Sequence, residues 1–574
     1  MASLTILLNP RRLTKTYRDA RSAEVMRKTV EFFEAKGKNR LKADYHARVW
    51  YADFLDFVRR ERIFATISTP AGYGAPDARW DTWRICEFAE ILGFYGLQYW
   101  YTWQVTVLGL GPIWMSRNED VKRRTAELLE QGAIFAFGLS EREHGADIYS
   151  TEMTLTPVGE GRYVAKGRKY YIGNGNEAAI VSTFGKLGGR GTGAGDYVFF
   201  AVDPRHERYE LVKNVVASQN FVSEYALHDY PLTEGDVLAK GREAWDNALN
   251  TVNVGKFNLG WATIGICTHA FYEAIHHAAN RRLYDMHVTD FSHVRRMFVD
   301  AFSRLVAMKL FALRAADYMR SASSDDRRYL LYNPMVKMKV TTQGEDVINL
   351  LWDAIAAKGF EKDMYFEQAA VDIRALPKLE GTVHVNIALI VKFMPNFFFV
   401  PEDLPDVPRR DDAANDDFLF AQGPARGLGA IRFHDYRKTL AEWQHVPNVG
   451  VLGEQIEVFR EMLATAPPDE AQQKDVDFLL SGGELFALVV YAQLILENAR
   501  IYGVDAGLVD QIFDVLVRDF SRHAVELHGR RASNARQMAF ALRMIRKPVD
   551  DPTRYDRVWS EMVLPLKDAY EMNS

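Results

Sequence analysis

The chain has 574 residues, more than one hydrophobic core usually serves, so two to four packed units are expected. Its 48% hydrophobic and 26% charged residues are the balance of a soluble globular protein, and a formal charge of -5 with pI near 6.3 leaves no basic field suited to nucleic acid. Cys86 and Cys267 are the only cysteines, which argues against a disulfide framework or a cysteine metal site and points to a reducing, cytoplasmic compartment.

In chain order, the opening MASLTILLNPRR has too short an apolar stretch for a signal-peptide core, and no targeting segment is read there. Residues 1–133 are helix-forming, with charged stretches and the apolar segment EFAEILGFYGLQYWYTWQV. The rings of Phe94, Tyr95, Tyr99, Trp100, Tyr101 and Trp103 read first as core and second as the lining of an acyl or aromatic pocket. Residues 134–247 change texture to short apolar or alternating runs separated by Gly, Asp, Asn and Pro, the pattern of a β-domain. Within it GKLGGRGTGAGD imitates a dinucleotide loop, but it lies between two strand-like runs with no helix after it and reads as a hairpin loop.

Residues 248–400 return to helical periodicity, with Phe298, Phe302, Leu305, Met308 and Ala312 forming one apolar stripe of a bundle. A further helix is expected to start at Asn333 as N-cap with Pro334 in first position and to stop at Gly359. His269, His276 and His277 share a helix without carboxylates at ligand spacing, so no metal is expected. Residues 401–430, rich in proline and acid at PEDLPDVPRRDDAANDD, read as a linker, and 431–574 as an extra C-terminal helical domain. The apolar run Leu485–Leu496 in that domain is shorter than the roughly 20 residues of a spanning helix. Arg518, Arg522, Arg530, Arg531, Arg536, Arg543, Arg546 and Lys547 make its later part basic, which suits a solvated face, a dimer rim, anionic lipid or nucleic acid.

Three segments carry more: FGLSEREHGAD at 137–147, Tyr171-Ile172-Gly173-Asn174, and Glu380-Gly381-Thr382 in PKLEGTVHVN. With helices, a β-unit and a bundle in that order, the stretch from Lys28 to Phe399 resembles the FAD-dependent acyl-CoA dehydrogenase and oxidase superfamily. The resemblance implies a mainly α fold with a central β-domain: an N-terminal helical domain, a middle β-barrel or sandwich and a four-helix bundle, here with the appended helices. It places Phe137, Leu139, Ser140 and Gly145 on flavin-contacting positions and Tyr171 and Gly173 against the flavin ring, with Glu141 and Asp147 completing the first motif. Arg281 falls on the stretch that reaches the FAD pyrophosphate, where Tyr284 replaces the usual Phe, and Thr382 adjoins the cofactor. Ala146, Lys256 and Gly381 fall on substrate-binding positions.

Glu380 is the catalytic base that the resemblance implies. It would take the α-proton of an acyl-CoA thioester while the β-hydride passes to FAD N5, giving the trans-2-enoyl-CoA of fatty-acid β-oxidation, with a carboxyl pKa raised by burial. The alternative position for the base, just before Lys256, is Gly255, which cannot act as one. His144-Gly145 and Gly173 resemble the oxidase branch, so electron-transfer flavoprotein and dioxygen both stand as acceptors. Asp353, Ala356 and Ala357 depart from the family's adenosine-side segment, which leaves open a DNA-associated flavoprotein with vestigial activity. A homodimer or homotetramer is expected, with peripheral membrane contact a further option.

Overall fold

The computed structural model describes residues 6–13, 15–188, 195–424 and 426–574. They form two compact units, one of Thr16–Asn258, Asp411–Arg426 and Asn573–Ser574, the other of Met1–Lys15, Leu259–Arg410 and Gly427–Met572.

The first unit joins the N-terminal helices to the strands. Helix Ala20–Lys36 starts at Asp19, whose carboxylate caps Ser22 N–H, and ends at Gly37 in the left-handed region, φ 74°. Helices Thr82–Tyr95 and Leu97–Met115 are buried on nearly every side, which their apolar sequence requires. Their aromatic cluster is core: Tyr99, Trp100 and Trp103 have no exposed surface.

Eight strands follow: β1 (Phe135–Gly138), β2 (Thr154–Gly159), β3 (Arg162–Gly173), β4 (Ile180–Leu187), β5 (Tyr197–Val202), β6 (Tyr209–Asn214), β7 (Val222–Thr233) and β8 (Val237–Lys240). They make one sheet in the order β6-β7-β3-β2-β4-β5-β8, with β1 beside β4 in parallel. The antiparallel pairing of β3 with β7 shifts register between Ala165 and Gly167 and again between Tyr170 and Ile172. Such a bulge re-aims the side chain it carries, here Tyr171. The glycine-rich stretch falls between β4 and β5, and its residues 189–194 lie outside the described residues.

The acid- and proline-rich stretch differs from the expected linker. Asn415 Oδ1 accepts from the N–H groups of Ala71 and Trp80 at 3.1 and 3.0 Å, and Asp416 accepts from Thr82 N–H at 2.7 Å. Phe420 packs edge-on against Trp80. Its Asn and Asp side chains satisfy backbone donors at the start of helix Thr82–Tyr95, so part of it is a strap of this unit.

The second unit contains helices Asn258–Asn280 and Ser292–Arg320 and, from the C-terminal part of the chain, Val476–Tyr502 and Ala506–Gly529. From Phe298 to Arg320 every residue is buried, a fuller burial than one apolar stripe predicts. Neighbouring helices cover all sides, and the polar residues are paired across them: Arg304 holds Asp519 through two bonds of 2.6 and 2.8 Å, and Arg314 holds Glu497 at 2.8 Å. Helix Val476–Tyr502 has the length and hydropathy to cross a membrane, but 78% of its most apolar window is buried here, as a core helix.

The helix expected from Asn333 to Gly359 differs at both ends. It runs Tyr329–Met335, widens into a π-turn at Val336–Val340, and continues as Thr341–Ile355. Pro334 sits inside it, two residues before the π-turn begins. The end falls at Ala356, with φ 53°, before a short 3-10 turn through Phe360.

Candidate functional site

In the first unit, the segment after β1 is held from inside. Glu141 is buried, and Lys169 of β3 is wholly buried beneath it. The Lys169 ammonium donates to Glu141 Oε1 at 2.8 Å, to the Leu139 carbonyl at 2.9 Å and to Thr151 Oγ1 at 3.1 Å. Glu141 also accepts from the Thr151 hydroxyl and from the N–H groups of Glu152 and Met153. Burial pushes the Glu141 carboxyl up, but the charge of Lys169 and these hydrogen bonds outweigh it and hold it below the usual carboxylate range. Burial draws Lys169 down to about 8 against the pull of Glu141.

Glu141 is therefore neither a solvated acid nor free to touch a ligand; it is the anchor of the loop. The Glu141, His144 and Glu152 ligand atoms gather within 4.8 Å, yet Lys169 already occupies the carboxylate that a cation would need.

This anchor leaves Leu139 and Ser140 half-buried at the loop surface, with the Ser140 carbonyl accepting from Tyr170 N–H at 3.0 Å. Phe137 is buried at the end of β1, stacked on Phe199. Gly145 and Ala146 are exposed, and a Cβ at 145 would meet nothing within 4 Å, so the main chain there is open to close approach.

The Tyr171–Asn174 turn is locked to helix Leu97–Met115. Asn174 is fully buried; its amide donates to the carbonyls of Thr102 and Phe135, each at 3.0 Å, and accepts from Thr102 Oγ1 at 2.9 Å. Tyr171 and Asn174 both take the left-handed conformation, φ 68° and 61°. Tyr171 is thereby held on a rigid base with 43% of the residue exposed. Gly173 has a steric cause: a Cβ would lie 2.7 Å from both Tyr101 Cε1 and Val105 Cγ1. An exposed ring on a fixed turn and a small-residue loop with open main chain suit a flat, polar-edged aromatic ligand.

In the second unit, Glu380 stands on a strained turn. Glu380 and Gly381 have φ of 52° and 84°, and Glu380 Oε2 is buried although the residue is partly accessible. Thr382 caps the next helix, Val383–Ile390, by accepting from Val385 N–H. Asn386, buried, donates to the carbonyls of Gly381 and Thr382 at 3.1 and 2.9 Å.

The other residues singled out from the sequence are placed as follows. Lys256 is buried at the end of helix Gly241–Gly255, next to a Gly255 carbonyl that accepts from Gln104. Arg281 and Tyr284 are exposed around a small hairpin, with Tyr284 and Asp285 both at positive φ and the Tyr284 side chain projecting. Asp353, Ala356 and Ala357 are exposed as well. Five of the C-terminal arginines have acid partners: Arg518 with Asp300, Arg522 with Asp519, Arg530 with Asp477, Arg543 with Glu461 and Arg546 with Glu454.

Reasoning from the sequence missed Lys169, Lys337 and Asn386. For Lys169 a signal existed: in RYVAKGRKYYIG it falls in phase with buried Tyr163 and Ala165, a lysine in an inward position. Lys337 likewise interrupts an apolar run, PMVKMKV.

A mainly α protein with a central sheet that presents one rigid aromatic turn, and a bundle that carries a glutamate on a strained one, defines the fold class. Residues 243–394 match the family described as "Acyl-CoA dehydrogenase, C-terminal domain". The caffeyl-CoA reductase-Etf complex subunit CarC of Acetobacterium woodii is 24% identical over 337 residues, 57% of this chain and 86% of that protein. The acyl-CoA dehydrogenase of Bacillus anthracis, solved in complex with FAD, is similar with a TM-score of 0.72 and 13% identity, over 100% of this chain and 98% of that one. The butyryl-CoA dehydrogenase of Megasphaera elsdenii is similar with a TM-score of 0.59 and 17% identity, over 66% and 99%. Residues 243–394 thus match an acyl-CoA dehydrogenase C-terminal domain, and the chain as a whole has the acyl-CoA dehydrogenase fold with additional C-terminal helices.

Proposed function

We propose that this protein is an FAD-dependent enzyme that desaturates an acyl-CoA thioester between its α- and β-carbons. The observation that carries this reading is Glu380: a carboxylate with one buried oxygen, on a turn of two successive positive-φ residues. Gly381 adopts this conformation freely, but for Glu380 it costs about 1–3 kcal/mol and persists where the surroundings impose it, as they do at functional sites. Glu380 would remove the α-proton, and its own N–H would donate to the thioester oxygen, where charge develops. Ser140, the main chain around Gly145 and the Tyr171 ring would hold and orient the flavin. FAD, when bound, supplies the two-electron acceptor for the β-hydride.

The test is anaerobic addition of a panel of acyl-CoAs to the yellow protein. Wild type should bleach with at least one thioester, and Glu380→Gln should keep its flavin but not bleach. A Gln variant that bleaches at the wild-type rate removes Glu380 as the base.

A second reading concerns the acceptor. Tyr101 and Val105 leave no room at 173 for a hydroxyl-bearing side chain, which favours dioxygen over an electron-transfer flavoprotein, although the Acetobacterium relative is named as part of an Etf complex. Peroxide release in air during turnover supports the oxidase reading, and turnover only with an added flavoprotein acceptor opposes it.

A further inference from the structure

Lys337 lies in the π-turn Val336–Val340, without exposed surface, among apolar residues. A buried ammonium is costly unless its donors are used. Here they reach across to the turn that carries Glu380: Lys337 Nζ donates to the Pro377 carbonyl at 2.6 Å and to the Gly381 carbonyl. One cation thus spans the segment on both sides of Glu380.

The π-turn that aims Lys337 is itself held in place. Helix Asn258–Asn280 approaches it so closely that a Cβ at Gly260 would meet Val336 Cγ1 at 2.5 Å and the Val336 carbonyl oxygen at 2.8 Å. The Thr341 hydroxyl donates to the Lys337 carbonyl at 2.6 Å, closing the wide turn from its C-terminal side. On the receiving side, Asn386 donates to the same Gly381 carbonyl at 3.1 Å. The strained peptide after Glu380 therefore has two side-chain donors on one oxygen, one of them charged. π-Turns inside helices recur at functional sites, where the extra residue redirects a side chain.

We propose that Lys337 is a positioning residue for the reaction: by pinning the carbonyls of Pro377 and Gly381 it sets the direction of the Glu380 carboxylate and of the Glu380 N–H together. It does not touch the substrate. This inference rests on Glu380 being the base. Displacement of a reacting group by an ångström costs on the order of 100-fold in rate, so loss of the clamp acts on proton removal ahead of substrate affinity.

The experiment compares wild type, Lys337→Met, Lys337→Gln and Glu380→Gln as flavin-loaded proteins. Each is measured for flavin absorbance, melting temperature, thioester affinity, and exchange of the α-hydrogens of a 3-thia-acyl-CoA with D2O. That thioester has sulfur at the β-position and no hydride to give, so exchange reports proton removal alone. Expected is a loss of about 100-fold in exchange for Lys337→Met with affinity unchanged, and partial recovery in Lys337→Gln, whose amide can still donate to a carbonyl. Exchange in Lys337→Met equal to wild type overturns the proposal, as does an equal loss of affinity and exchange. If neither Lys337 variant folds with flavin bound, the lysine is a stability residue and the proposal is also overturned. If wild type exchanges no faster than Glu380→Gln, it is the assignment of the base that fails.

Discussion

Replacing Lys169 with methionine removes one half of a buried pair and leaves the other. Glu141 is 7% exposed and would keep three donors, the Thr151 hydroxyl and the N–H groups of Glu152 and Met153. Breaking a buried ion pair from one side costs about 3–5 kcal/mol, and the surviving donors put this case near the lower end, about 3 kcal/mol. At roughly 2–4 °C per kcal/mol for a unit of this size, the melting temperature should fall by about 6–12 °C. The Leu139 carbonyl loses its donor as well, so the Ser140 loop loosens and bound flavin should be released more readily on dilution. Calorimetry and flavin absorbance measure both effects, and the double variant Glu141→Leu with Lys169→Met supplies the control. Removing both charges should restore much of the stability, because no unpaired carboxylate remains buried. A single variant that melts with wild type, or a double variant no more stable than the single, refutes the anchoring argument.

Gly173→Thr should destabilise the first unit by about 1–3 kcal/mol through overpacking against Tyr101 and Val105, and Val105→Ala should recover part of that loss in thermal melts. Asp519→Asn should cost about 3 kcal/mol by removing the carboxylate that takes two bonds from buried Arg304, which keeps only Gln343 and the more distant Asp346. Burial raises the Asp519 carboxyl, but Arg304 overcomes this and holds it well below its ordinary 3.8. Since the folded value is the lower one, this stabilisation is full above pH 3.8 and is lost as pH falls toward the folded value, so the acid-unfolding curve of Asp519→Asn should be flatter there. A mutant curve parallel to wild type below pH 4 would contradict that assignment.

The order of helices, strands and bundle was legible in the sequence because it rests on local periodicity: the alternation in β3 and the apolar spacing after Val252 do not depend on distant contacts. The Glu380-Gly381-Thr382 turn and the Tyr171–Asn174 turn stood out through their resemblance to a family's motifs, not through local periodicity. What packing decided is the role of the charged residues. Glu141 and Lys169 are 28 positions apart, and only the pairing of strands makes them one buried ion pair. Lys337 is 44 positions from Gly381, and only the π-turn, closed by the approach of Gly260, aims it at the turn that bears Glu380. The acid-rich stretch near Asn415 reads as a linker by composition, yet it folds as a strap because its side chains accept from backbone N–H groups more than 330 residues away. Whether a charge is solvated or buried depends on partners remote in sequence, and the chain's local pattern has no term for them.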